Sequence, residues 1–211
     1  HGKQGRYQAM YSGWTKIPEQ GYELMPDYFW CWGQPSCDHI LSDSPKRKIH
    51  RPFVGGFPWL DYYKSFVAQS LDRKDRKLPA DGILQVLVTT QPPQGSNREP
   101  IPDFLIQFLS SANPDVIKFI FRCHPNDRDG VSYCNQRSGA LPKSLYIIDD
   151  GKDNLYDKLL ESTHHVTVYS SCCYEAEALG VPTLLFGADA KKIYADEIES
   201  GRFVWTSGKL E

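Results

Sequence analysis

A chain of 211 residues has room for one large domain, or for one domain and part of another. With 40% hydrophobic and 24% charged residues it has the make-up of a globular protein, and a formal charge of −2 excludes a general electrostatic attraction to nucleic acid. No apolar run approaches the roughly 18–20 residues of a membrane-spanning helix, and no signal-peptide pattern is read at the start.

A cytoplasmic location is expected on these grounds. Because the chain begins at His1 with no initiator Met, it is expected to be a fragment or a trimmed form. The cysteines stand at 31, 37, 123, 134, 172 and 173, with no C-x-x-C among them. That spacing suits neither a zinc knuckle nor a disulfide framework, so reduced, buried thiols and no metal centre are expected.

Residues 1–60 are rich in aromatic side chains and turn formers and read as the terminal part of one domain. Strand-like segments fall at 28–32 and 52–57, with a polar stretch between them whose basic run Lys46-Arg-Lys48 reads as a solvated turn. Trp30, Trp32 and Trp59 are read as core. Residues 59–71 carry the period of an amphipathic helix. Residues 61–81 are taken as a linker, ending in interleaved charges and Pro79.

From 82 to 211 the pattern alternates. Short apolar runs at 83–89, 117–122, 144–148, 165–169 and 182–186 have strand length. Helical periods at 102–110, 154–161, 172–179 and 191–199 separate them. Buried strands alternating with amphipathic helices predict an α/β fold with a Rossmann-like, mostly parallel sheet and right-handed crossovers. Ligands bind such sheets beyond the carboxyl ends of the strands, so chemistry is sought just after 89, 122, 148, 169 and 186.

Ser170 and Ser171 follow a strand and open a helix that Gly180 closes. A serine there caps the helix, and the remaining N–H groups with the helix dipole make an anion site. Glu175, one turn in, can accept from both hydroxyls of a ribose. The run Glu175-Ala-Glu-Ala-Leu-Gly-Val-Pro182 resembles the Glu-Ala-x-Ala-x-Gly-x-Pro signature of the carboxyl-terminal domain of GT-B glycosyltransferases. In that family the first Glu binds the donor ribose, a role that falls on Glu175. An earlier acidic residue of the family pattern falls on Thr167, so that half of it is missing.

Arg122-Cys-His-Pro125 ends another strand. Taken alone, His124 reads first as a capped or partly buried imidazole; its place at the carboxyl end of a strand, with Arg122 a second cation nearby, makes it a candidate contact in the ligand crevice. The His-Pro, followed by Ser170-Ser171, resembles bacterial sialyltransferases and capsular-polysaccharide transferases. There the His contacts the donor's phosphate or nucleotide, which tilts the expected donor from UDP towards CMP. The Asp-Asp-Gly of those enzymes precedes His-Pro, whereas Asp149-Asp150-Gly151 follows it, so no base role is carried onto either Asp; a nucleobase contact from the backbone of 147–151 is left open.

The opening His1-Gly, with Leu24-Met-Pro26 and Trp30-Cys-Trp-Gly33 after it, resembles capsule-type transferases and glycerophosphotransferases whose His-Gly carries the catalytic base. His1 is therefore a candidate base towards an acceptor hydroxyl, although a tag remnant is the plainer reading of a terminal His. Thr90 and Gln91, in the loop after 83–89, face the interdomain cleft of a GT-B arrangement and are candidate phosphate or acceptor contacts; a Pro-rich turn is the plainer reading. His164-His165 reads as a surface turn.

The resemblance thus implies a donor domain at 82–211 preceded by the end of an acceptor-side α/β domain. The implied activity is transfer of a sugar from a CMP- or UDP-linked donor to a glycan or polysaccharide, as in capsule biosynthesis. No Asp-x-Asp is read as metal-holding, so metal-independent transfer with no cofactor beyond the nucleotide-sugar is expected. His1 and His124 are the catalytic candidates; Arg122, His124, Ser170, Ser171, Glu175 and Gln91 are the donor-binding ones. The expected partners are a nucleotide-sugar and a glycan acceptor, with room for peripheral association with a membrane. The alternatives are a polyol-phosphate transferase, a nucleotide-sugar 2-epimerase using Glu175 and Glu177, or a nucleotide-binding module without turnover.

Overall fold

The computed structural model describes residues 26–42, 51–68, 82–92 and 101–207. The chain divides into two compact units, residues 1–70 and 71–211. The Lys46-Arg-Lys48 run and His1 lie outside the described residues.

In the first unit, β1 (Tyr28–Cys31) and β2 (Arg51–Val54) pair in parallel across α1 (Gln34–Ser42), and α2 (Pro58–Ala68) follows. Alternation along β1 buries Phe29 and Cys31, which pack with Cys37 and Ile40 of α1. The other face of β1 carries Trp30, set edge-on to Phe53 with ring centroids 5.3 Å apart. Trp30 and Trp59 are 49% and 54% exposed, which corrects their placement in the core. The Trp30 indole N–H stays at the surface because it donates to the Gly56 carbonyl at 2.8 Å.

The second unit is a six-stranded, fully parallel sheet. Its strands are β3 (Leu84–Thr89), β4 (Ile117–Arg122), β5 (Tyr146–Asp149), β6 (His164–Thr167), β7 (Thr183–Phe186) and β8 (Val204–Thr206). They lie in the order β5-β4-β3-β6-β7-β8. Helices α3 (Asp103–Ser110), α4 (Gly130–Arg137), α5 (Leu155–Glu161), α6 (Cys172–Ala178), α7 (Gly187–Ile193) and α8 (Ala195–Glu199) intervene. This is the expected α/β class with its parallel sheet. The chain builds outward from β3 in one direction, then crosses back and builds outward in the other. Right-handed crossovers therefore put α3 and α4 on one face and α5 and α6 on the opposite one.

Strand alternation sorts the side chains to those faces. Val86, Val88, Phe119, Phe121 and Phe186 form one core with Leu105 and Leu109 of α3. A second cluster joins Cys173 of α6 and Leu185 of β7 to Ala190, Tyr194 and Phe203. Fully burying side chains such as Phe121 and Leu109 contributes about 1.5–3 kcal/mol each. All six cysteines carry thiols rather than disulfides, five of them buried.

One expectation changes inside the sheet. His164-His165 is not a surface turn: β6 begins there, and His165 is fully buried. Its two ring nitrogens meet the hydroxyls of Thr89 at 2.9 Å and Thr183 at 3.1 Å, linking three strands. With both polar atoms satisfied, the imidazole is tolerated in the sheet as a neutral group, and burial pushes its pKa down to about 3.

Candidate functional site at the strand ends

The strand register aligns four carboxyl ends in one row. Asp149 pairs with Arg122, Arg122 with Thr89, and Thr89 with Thr167. Between β3 and β6 the order of the strands reverses, which opens a crevice beyond their ends. The loops that follow carry Gln91 after β3, His124 after β4, and Ser170 and Ser171 after β6. Strands lie about 4.8 Å apart, so the loops after β4 and β6 start about 10 Å from one another with β3 between them. That spacing suits a pyrophosphate or a nucleotide phosphate and its sugar better than a single small ion.

His124 is half-buried at the end of β4. The Asn126 N–H donates to its Nδ1 at 3.1 Å, so the neutral ring carries its proton on Nε2. Burial lowers its pKa, against the pull of Asp127. At neutral pH this is an uncharged N–H donor, held by its own loop. Asp127-Arg-Asp129, which has the Asp-x-Asp spacing, helps build that loop: the Asp129 N–H donates to Asp127 Oδ1 at 3.3 Å, and the Asp127 N–H to the His124 carbonyl at 2.8 Å. No cluster of three or more potential metal ligands occurs among the described residues.

Arg122 is buried, with its guanidinium turned to the α5 face. It pairs with Asp149 at 2.5 Å and donates to the carbonyls of Gly151 at 3.1 Å and Asp153 at 2.5 Å. These internal partners make it the clamp of the β5–α5 loop, where the sequence suggests a phosphate contact. Gly151 completes the clamp: at φ +81° it is in the left-handed region, and a Cβ there would overlap the Cys123 carbonyl. Asp149 Oδ1 accepts from the Gly151 N–H at 2.9 Å, so the first Asp of Asp149-Asp150-Gly151 shapes a turn.

At the end of β3, Thr90 is buried and donates its hydroxyl to the Arg122 carbonyl at 3.2 Å. Gln91 is different. Its amide Nε2 is buried and has no hydrogen-bond partner among the described residues. An unpaired buried donor costs about 1–3 kcal/mol, a penalty a ligand acceptor would relieve.

After β6, the start of α6 is more self-contained than its sequence implies. The Cys172 N–H donates to Ser170 Oγ at 3.3 Å, the Cys173 N–H to the Ser170 carbonyl and the Tyr174 N–H to the Ser171 carbonyl. The two serines thus satisfy the first amides of α6, which are not open for a phosphate. Ser170 and Ser171 are themselves half-buried at the crevice. Gly180, at φ +72°, ends α6, and the Val181 N–H reaches back to the Ala176 carbonyl at 2.8 Å, as in a Schellman cap. This explains the Gly-Val-Pro tail of the signature: it turns the chain from α6 into β7.

Glu175 lies half-buried on α6 and accepts from the Tyr156 hydroxyl of α5 at 3.4 Å. Desolvation pushes its pKa up to about 7, although hydrogen bonds from Cys172 and Tyr156 pull the other way. A carboxylate has about four lone-pair sites, so two such donors leave capacity for a diol. Glu177, the second carboxylate considered for epimerase chemistry, is engaged elsewhere: Arg202 grips both its oxygens at 2.8 and 2.6 Å. Tyr156 has no counterpart among the sequence candidates. Its Asn-x-Tyr context marks a helix start, but no spacing rule ties residue 156 to residue 175.

Strand order, parallel pairing and the crevice at the switch point define a doubly wound α/β domain, of the kind seen in GT-B enzymes. Solved structures share it. The S. aureus MnaA–UDP co-structure matches at 13% identity over 84% of this chain and 47% of its own, with a TM-score of 0.54. The wall teichoic acid polymerase TagF matches at 18% identity over 93% of this chain and 50% of its own, TM-score 0.51. Methanocaldococcus jannaschii UDP-GlcNAc 2-epimerase, in complex with UDP-GlcNAc and UDP, matches at 15% identity over 87% and 51%, TM-score 0.51. The chain spans about half the length of these proteins. No protein-family model and no curated protein sequence matches it.

Proposed function

We propose that this chain holds the nucleotide of an activated sugar and belongs to a glycosyltransferase that passes the sugar to a glycan or polysaccharide acceptor. One observation carries the reading: Glu175, a half-buried carboxylate with unused acceptor capacity, stands on the helix that leaves the switch-point crevice. In this reading Glu175 accepts from the ribose hydroxyls. The Nε2–H of His124, the orphan amide of Gln91 and the hydroxyls of Ser170 and Ser171 point donors at the phosphate. Negative charge grows on a nucleoside mono- or diphosphate as it leaves, and prearranged neutral donors stabilise it without reorganisation. Arg122 acts at one remove, by holding the loop in front of α5. No metal is needed for this set, and the donor is CMP- or UDP-linked.

A 2-epimerase is the second reading, favoured by the M. jannaschii enzyme among the fold matches. The Glu177–Arg202 pair weighs against it, since it leaves Glu175 as the one signature carboxylate not held in an ion pair. Calorimetric titration with CMP, UDP and GDP tests the shared part of both readings, and at least one should bind with EDTA present. Refusal of all three by folded protein contradicts it. Incubation with UDP-GlcNAc, followed by proton NMR, separates the two: an epimerised sugar supports the second reading.

A further inference from the structure

We propose that Tyr156 is a positioning residue for Glu175, holding one carboxylate oxygen so that the other is presented to a ribose diol. This deepens the nucleotide reading above and rests on it. The Tyr156 side chain is buried, and its hydroxyl donates to Glu175 Oε1 at 3.4 Å across the α5–α6 contact.

The placement of that hydroxyl is built from the sheet outward. Arg122, at the end of β4, pairs with Asp149 and binds the carbonyls of Gly151 and Asp153. Gly151 packs on the Cys123 carbonyl, so the loop has one seat. Three residues later Asn154 caps α5, its Oδ1 accepting from the Tyr156 N–H at 2.9 Å. The buried ion pair is therefore connected, link by link, to the phenol that meets Glu175. Long side chains such as Glu lose rotamer entropy when fixed, and a donor that fixes the carboxylate beforehand removes that cost from ligand binding.

The groups facing Glu175 are Tyr156 from α5 and Cys172 from its own helix, and both donate hydrogen bonds. Arg122 is felt at Cys172, where it opposes the effect of burial on the thiol. Loss of the phenol hydroxyl removes a donor to the ionised carboxylate, so Glu175 should hold its proton to higher pH.

The test uses Tyr156→Phe, with Tyr156→Met as a second apolar variant, both checked for folding by thermal melting. Carbon-13 NMR of the ligand-free protein reads the Glu175 carboxyl titration; its midpoint should rise by about half a pH unit or more in both variants. Binding is read with whichever of CMP, UDP and GDP binds wild type, beside its 2′,3′-dideoxy form. At pH 7 the ribonucleotide should weaken about three- to tenfold in Tyr156→Phe, with the dideoxy form unchanged. In a Glu175→Gln background the Tyr156 change should have no further effect. An unmoved midpoint, or equal losses for both nucleotides, overturns the positioning role. If none of the three binds wild type, or Glu175→Gln leaves diol preference intact, the nucleotide reading itself fails, whatever the Tyr156 titration shows.

Discussion

His165, buried inside the sheet, and Glu175, half-buried on α6, bend stability in opposite directions with pH. The His165 imidazole is pushed down to about 3 from an ordinary 6.5. Between those values the unfolded chain binds the extra proton, so stability is full above about 6.5 and falls as pH drops below it. At pH 5 the loss is roughly 2 kcal/mol, and His165→Gln should flatten that limb of a urea-denaturation series. Glu175 is raised to about 7 from an ordinary 4.5, so the folded chain binds the extra proton in that window. Its contribution therefore declines as pH rises from 4.5 to 7, and Glu175→Gln should gain stability over wild type across the same range. An unchanged difference between the two proteins from pH 4.5 to 7.5 would show that Glu175 ionises as a surface carboxylate.

His124 makes a prediction about binding at the same scale. With Nδ1 engaged by Asn126, its Nε2–H is the donor offered to a ligand. His124→Ala should weaken a nucleotide by about tenfold while leaving the bare nucleoside near its original affinity. Calorimetry with UDP and uridine, or CMP and cytidine, reads the ratio; equal losses would remove the phosphate role.

Two glycines separate at the scale of elements. Gly180 and Gly151 both have positive φ, but a Cβ at Gly180 meets nothing within 4 Å whereas one at Gly151 meets the Cys123 backbone. Gly180→Ala should cost about 1–2 kcal/mol of left-handed backbone strain and leave binding intact. Gly151→Ala must in addition displace the loop that Arg122 clamps, so it should cost more and weaken nucleotide binding as well. Denaturant midpoints and calorimetry on the two variants decide this; similar stability losses with binding unaffected in both would dissociate the clamp from the site.

The elements also show why some were legible and others were not. β3, β4 and β7 are short apolar runs buried within a parallel sheet, and such runs announce themselves in sequence. α1 and α4 do not: Gln34–Ser42 has few apolar residues, and Gly130–Arg137 opens on a glycine and has only Val131, Tyr133 and Cys134 to mark an inner face. β8 is three residues long, below the length at which alternation can be read. Among site residues, Glu175 and Ser170-Ser171 were visible because their chemistry lies within one contiguous strand–helix segment. The internal role of Arg122 and the contact of Tyr156 were not, since both depend on partners 19 to 31 residues away, brought to Arg122 by the β4–β5 pairing and to Tyr156 by the return of the chain through β6 into α6.

At the scale of the molecule, the strand order turns scattered motifs into one candidate site. His124, Gln91, Ser170 and Ser171 come from three neighbouring strand ends, and the reversal between β3 and β6 gives them a shared crevice. Among the described residues no helix is long and apolar enough to cross a membrane. The chain covers about half of MnaA, TagF and the M. jannaschii epimerase, so the proposed nucleotide binding is the activity to test in this chain first. The most direct measurement compares a ribonucleotide with its 2′,3′-dideoxy form, by calorimetry, in wild type and Glu175→Gln. A carboxylate that reads the diol predicts a preference for the ribonucleotide of about tenfold or more in wild type, lost in the variant. Equal affinity of wild type for the two forms would contradict the assignment of Glu175 and the nucleotide site built around it.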